Sequence, residues 1–164
     1  MKLETTARLG VTQMRVLRRT RCAPAEEGWQ LSAVGVSGGG GTSGQARRVL
    51  VVEDEALICI ETADTLEHQG FEVHTAFSGE DALRRLGDGL AVDILFTDIN
   101  LAGAMDGATL ALLARDRFPG LLVVYTSGTV ERVAQGVAGS IFVPKPYSPE
   151  RVGRMLSGMH AARA

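Results

Sequence analysis

Aromatic side chains make up only 5% of this 164-residue chain, so any core it forms must be packed from aliphatic residues. Cysteine is nearly absent as well. Cys22 and Cys59 lie far apart and match no metal-ligand spacing, which excludes a disulfide framework and a cysteine-built metal site. Reduced thiols in a cytoplasmic protein are the expectation. No apolar run approaches the roughly 20 residues that cross a bilayer. Residues 9–17 (LGVTQMRVL) are too short, and too close to arginines, for a signal-peptide core. What is present, 45% hydrophobic and 22% charged residues, is the balance of a globular protein of one domain, with a tail.

The net charge of -2 hides an asymmetry. Residues 1–48 hold eight Lys/Arg against three acids, a net of +5, which leaves −7 for residues 49–164. A basic leader on an acidic domain suits steering toward nucleic acid or anionic lipid, but it shows no DNA-binding motif. With Pro24 and the run Gly38–Gly41 within VSGGGGTSG, residues 1–46 read as a basic, disordered extension ending in a glycine-rich linker. A mitochondrial-type presequence and a misassigned start are weaker alternatives. The folded domain is expected at 47–164.

There the pattern changes to short apolar runs alternating with helix-length segments. Val49–Val52 is a continuous aliphatic run, as a strand buried on both faces requires. It ends in Glu53-Asp54-Glu55, after which Ala56–Gln69 reads as a helix stopped by Gly70, with a weak stripe of Ile58, Thr62, Thr65 and Leu66. Further strands are predicted at Glu72–Ala76, Asp93–Thr97, Leu121–Tyr125 and Ile141–Val143. Ser78 caps a helix to about Leu86, with Glu80 and Asp81 in its first turn. Another helix runs from Gly107 to about Phe118, with Leu110, Leu113 and Ala114 on one face. Residues 129–138 are the poorest helix. Ser148-Pro149-Glu150 starts the last, with Val152, Met155, Leu156 and Met159 on its buried face. Five strands alternating with five helices imply an α/β, flavodoxin-like, doubly wound five-stranded parallel sheet of order 2-1-3-4-5. Ligands bind such sheets at the carboxyl ends of the strands, where the winding reverses.

The polar residues are concentrated there. The first strand ends in Glu53 and Asp54, the third runs into Asp98, the fourth into Thr126 and Ser127, and the fifth leads to Lys145. Any one of these is a common loop residue. Three acids, a hydroxyl and an ammonium at one edge are not a common set. Crowded carboxylates repel, and a hard divalent cation relieves them. Mg²⁺ takes one or two carboxylates and leaves room for phosphate oxygens. Asp98, at the centre, is placed to act as the nucleophile that forms an aspartyl phosphate, with Lys145 and Thr126 at the transferring oxygens.

The segments VLVVEDE (49–55), LFTDINL (95–101), VVYTS (123–127) and VPKPY (143–147) together resemble the receiver domain of two-component response regulators. The resemblance runs from about Arg48 to the C-terminus. It implies a phosphorelay role in signal transduction, in which Asp98 accepts a phosphoryl group from a phosphohistidine on a histidine kinase or histidine phosphotransfer protein. It further implies that Asp54, Asp98 and the Asn100 backbone carbonyl bind Mg²⁺, with Glu53 acting through water, and that Lys145 pairs with the acidic pocket ahead of a Lys145–Pro146 cis peptide. Thr126 and Phe142 match the switch pair, whose movement reshapes a protein-interaction face built from residues 129–138, the fifth strand and the last helix. That face is also where a homodimer would form.

Two departures stand out. Ala102 stands where many receivers carry proline, and the loop DINLAGAMDG (98–107) is one residue longer than usual. Asn100 and Gly128, two residues past Asp98 and Thr126, help little in positioning water, so an aspartyl phosphate of intermediate lifetime is expected. With the chain ending at Ala164, the expectation is a stand-alone receiver, a phosphoacceptor signalling domain rather than an enzyme, with no DNA-binding output domain and no membrane association. The alternatives are a constitutive pseudo-receiver adaptor and a metal-dependent phosphohydrolase, which would carry D-x-D after the first strand. An FMN binder would need a glycine- and hydroxyl-rich loop where EDEA stands.

Overall fold

The computed structural model describes residues 15–16, 46–128 and 136–161. In chain order the elements are β1 (Arg15–Val16), β2 (Arg48–Val52), α1 (Ala56–His68), β3 (Glu72–Ala76), α2 (Gly79–Gly87), β4 (Ile94–Asp98), α3 (Gly107–Arg117), β5 (Leu122–Ser127), β6 (Ile141–Pro144) and α4 (Pro149–Ala161). All strand pairs are parallel, in the spatial order β1-β6-β5-β4-β2-β3. The five strands expected from the sequence thus lie in the order 2-1-3-4-5 when counted from β2. The sixth, Arg15–Val16, was not expected: it falls within the segment read as an unstructured extension, and it adds to the β6 edge.

The aliphatic runs form the middle of the sheet because they bury both faces. In β2, Val49, Leu50, Val51 and Val52 have no exposed surface, and all of β4 and β5 is buried. Each such Val or Leu contributes about 1.5–3 kcal/mol over leaving it in water. β3, at the other edge, is buried only at Ala76. Alternation splits the core in two. Leu50, Val52, Leu95, Val123, Tyr125 and Phe142 pack with α2 and α3, while Val49, Val51, Ile94, Phe96, Val124, Ile141 and Val143 pack with α1 and α4.

The helix starts follow their caps. Ser78 Oγ accepts the Asp81 N–H at 3.2 Å, and Asp106 caps α3 by accepting the Thr109 N–H at 2.8 Å. Ser148 and Pro149 open α4, with Val152 and Leu156 buried beneath it. Two predicted faces are corrected. On α1 the buried positions are Cys59, Thr62, Ala63 and Leu66, not Ile58 and Thr65. On α3, Leu113 is exposed while Ala108, Leu110, Ala111 and Ala114 are buried, because small residues let this helix lie close to the sheet. β4 runs one residue later than predicted, since the Asp93 side chain turns to Arg48 and the ladder continues through Asp98. Of the helix predicted at 129–138, residues 129–135 lie outside the described residues; four helices are described.

Candidate functional site

The topology brings the ends of β2, β4, β5 and β6 to one edge of the sheet. Asp98 is the last residue of β4, in register with Thr126 of β5 and almost fully buried. Glu53, the first residue after β2, is buried, whereas Asp54 next to it is exposed. One carboxylate oxygen from each of Glu53, Asp54 and Asp98 lies within 4.8 Å of the others. Lys145, just past β6, reaches between two of them: its Nζ is 2.7 Å from Glu53 Oε2 and 2.5 Å from Asp98 Oδ2. The peptide bond that follows, Lys145–Pro146, is cis.

Three carboxylates around one ammonium leave an excess of negative charge in a partly desolvated pocket. Burial pushes the Glu53 carboxyl above its ordinary value, and the Lys145 contacts only partly offset it. For Lys145, burial pulls the pKa down, but the bonds to Asp98 and Glu53 outweigh it and hold the ammonium protonated. An all-oxygen donor set with surplus negative charge suits a hard divalent cation, and it is the only metal-sized acidic group among the described residues.

The carboxylates are aimed by backbone. Asp98 Oδ1 accepts the Asn100 N–H at 2.9 Å, and Asp54 Oδ2 accepts the Ala102 N–H at 3.2 Å. The second bond depends on the departure noted above, because proline at 102 would have no N–H to give. The Asn100 side-chain amide is engaged separately, donating to Ser127 Oγ at 3.0 Å. Thr126 differs from all of these. Its Oγ1 is buried and has no hydrogen-bond partner. Phe142, the other half of the expected switch pair, is buried in the α2/α3 layer with Tyr125 and Val137. The structure therefore brings Glu53, Asp54, Asp98, Asn100, Thr126 and Lys145 together, and places Phe142 one strand away.

Two residues that support the site were not singled out from the sequence. Gly107 opens α3 directly beneath Asp98: a Cβ there would stand 1.9 Å from the Asp98 carbonyl oxygen and 2.7 Å from Thr97 Oγ1. Its sequence signal was only that of a glycine at a helix start. Glu80, in the first turn of α2, holds the loop 99–106 by accepting the N–H groups of Ala104 and Met105, each at 3.0 Å. Nothing local marks that role, because its partners lie more than 20 residues away.

Known proteins resemble this chain in sequence and fold. The receiver domain of response regulators, as a family, matches residues 49–157. Sensor kinase CckA of Brucella abortus (strain 2308) is 34% identical over 116 residues, which are 68% of this chain and 12% of that protein. The phosphate regulon transcriptional regulatory protein PhoB of Rhizobium meliloti (strain 1021) is 32% identical over 123 residues, 71% of this chain and 53% of that protein. The chain thus spans only part of the length of the curated relatives it matches. Among solved structures, a response regulator receiver protein from Sinorhizobium medicae WSM419 is 31% identical with a TM-score of 0.66, over 73% of this chain and 98% of that one. An acid after the first of the five expected strands, an acid and a hydroxyl at the carboxyl ends of the third and fourth, a lysine after the fifth and a family match over most of the described residues agree: the chain belongs to the response regulator receiver domains of two-component signalling.

Proposed function

We propose that this receiver accepts a phosphoryl group on Asp98 from a phosphohistidine, on a histidine kinase or histidine phosphotransfer protein, and thereby switches a protein-interaction face. The observation that carries the reading is the pairing of Asp98, held by Lys145, with Thr126, whose buried hydroxyl has no partner. A buried hydroxyl left unsatisfied costs about 1–3 kcal/mol, and phosphoryl oxygens on Asp98 would supply its acceptor across the β4–β5 register.

In the transfer, an Asp98 carboxylate oxygen attacks phosphorus, the P–N bond to the donor imidazole breaks, and the electron pair leaves with the ring. Lys145 balances charge on the transferred group and keeps Asp98 oriented. Mg²⁺ would be held by Asp54, Asp98 and the Asn100 backbone carbonyl, with Glu53 reaching it through water, since its Oε2 is taken by Lys145. When bound, the ion shields the incoming phosphoryl oxygens from the carboxylates. Afterwards Thr126 moves toward the phosphoryl group and Phe142 turns into the space it leaves, biasing two pre-existing arrangements of the face around β6 and α4. The protein works in the cytoplasm as a phosphoacceptor, residues 1–46 forming an extension to the folded domain at 47–164 that returns to it where Arg15–Val16 pair with β6.

Intact mass after incubation with acetyl phosphate tests this. One added phosphoryl group is expected in wild type with Mg²⁺, and none in Asp98→Ala or without the metal. No adduct in wild type, together with no binding of a beryllium fluoride complex, would overturn the phosphoacceptor reading and leave a constitutive adaptor with the same fold.

A further inference from the structure

Backbone groups along β6 alternate between its two neighbours. The Lys145 N–H reaches Ser127 O on β5 at 2.9 Å, so Val143 and Ile141, two and four residues before it, also face β5. Ser140, Phe142 and Pro144 face the other way. The Ser140 N–H is turned back onto the Val137 carbonyl at 3.1 Å, and proline has none to give. Phe142 is therefore the one residue on this edge with an N–H available to a further strand. Its register partner there is Val16, with Arg15 opposite Ile141. A strand of two residues matches an edge that offers one such N–H.

We propose that residues 15–16 form an intramolecular cap on the β6 edge, withholding from any partner strand the backbone pairing that Phe142 would otherwise offer. The chain can make this connection. The 29 residues from 17 to 45 could span on the order of 95 Å if extended, whereas β1 and β2 are four strand spacings apart, about 19 Å. A strand tethered in this way outcompetes an untethered one from a second copy at ordinary protein concentration. Any partner that adds a strand at this edge must first displace the cap. The cap goes beyond the phosphoacceptor reading and stands on strand pairing alone. Where that reading also holds, the cap restrains the backbone of the residue proposed to switch.

Residue-resolved amide exchange on the full-length chain, without Mg²⁺ or phosphoryl donor, tests the cap. The Phe142 amide is expected to be protected in wild type and to exchange roughly ten-fold faster or more in Arg15→Pro/Val16→Pro, while Val143, facing β5, is unchanged. Should the prolines loosen Val143 too, Arg15→Gly/Val16→Gly keeps every backbone donor and is expected to give the same selective effect in smaller degree. Equal Phe142 exchange in wild type and variants would overturn the cap. Wild-type protection that falls on dilution would overturn its intramolecular form and assign the strand to a second copy. Because no phosphoryl chemistry enters, this result stands whether or not Asp98 proves to be a phosphoacceptor.

Discussion

Thr126 shows how a single side chain can be set against the stability of its own fold. Its hydroxyl is buried without a partner, so the resting molecule carries a desolvation cost that a hydrocarbon of similar size would not. Thr126→Val is therefore expected to raise the urea midpoint by the equivalent of about 1 kcal/mol at unchanged m-value. A lowered midpoint would show that the hydroxyl is satisfied after all. Cys59 illustrates the opposite case. Burial pushes its thiol up to about 11, which makes it an inert core residue despite its chemistry.

Among the elements, the junction of β4 and α3 decides whether the site exists. Gly107 lets the first turn of α3 lie against the Asp98 carbonyl, and its N–H bonds to Ile99 O at 3.0 Å. Since the obstructing atom belongs to the backbone, Gly107→Ala must push α3 and the end of β4 apart. The expected cost is about 1–3 kcal/mol in thermal or urea unfolding, with loss of the acetyl phosphate adduct in the part that stays folded. Wild-type stability and labelling in this variant would show that the junction has slack. How much could be read in advance follows the same boundary. Strands buried on both faces declare themselves as aliphatic runs, so β2, β4 and β5 were legible, and with them the sheet order and the acids at its edge. The faces of α1 and α3 were not, because alanine, cysteine and threonine carry little periodic signal. Gly107, Glu80 and the pairing of Arg15–Val16 owe their places to residues distant in sequence, which no local pattern reveals.

On the scale of the whole molecule, chemistry and anchoring sit at opposite ends of the strands. Away from the site, Arg48 holds Asp93 with Nη2 2.8 Å from Oδ1 and Nε 3.1 Å from Oδ2, while its backbone N–H adds a bond of 2.9 Å. The Arg48 side chain and N–H hold the Asp93 carboxyl below its ordinary 3.8. A carboxyl depressed in the folded state stabilises fully above its unfolded pKa, and that contribution fades as pH falls through the lower folded value. The stability gap between wild type and Asp93→Asn is thus expected to be largest near neutrality, at no more than about 1 kcal/mol for a pair this exposed. It should narrow as the urea midpoint is followed toward the acid limit of the fold. A gap that stays constant or widens would mean that the pair does not set it.

The division of the core by the sheet has a spectroscopic consequence. The chain holds two tyrosines, Tyr125 in the α2/α3 layer with Phe142, and Tyr147 on the other side, edge-on to Phe96 at 5.5 Å. Fluorotyrosine incorporation would therefore place one ¹⁹F nucleus in each compartment, so a rearrangement about Phe142 would be heard from Tyr125 on its own side of the sheet and a change of charge around Lys145 from Tyr147 on the other.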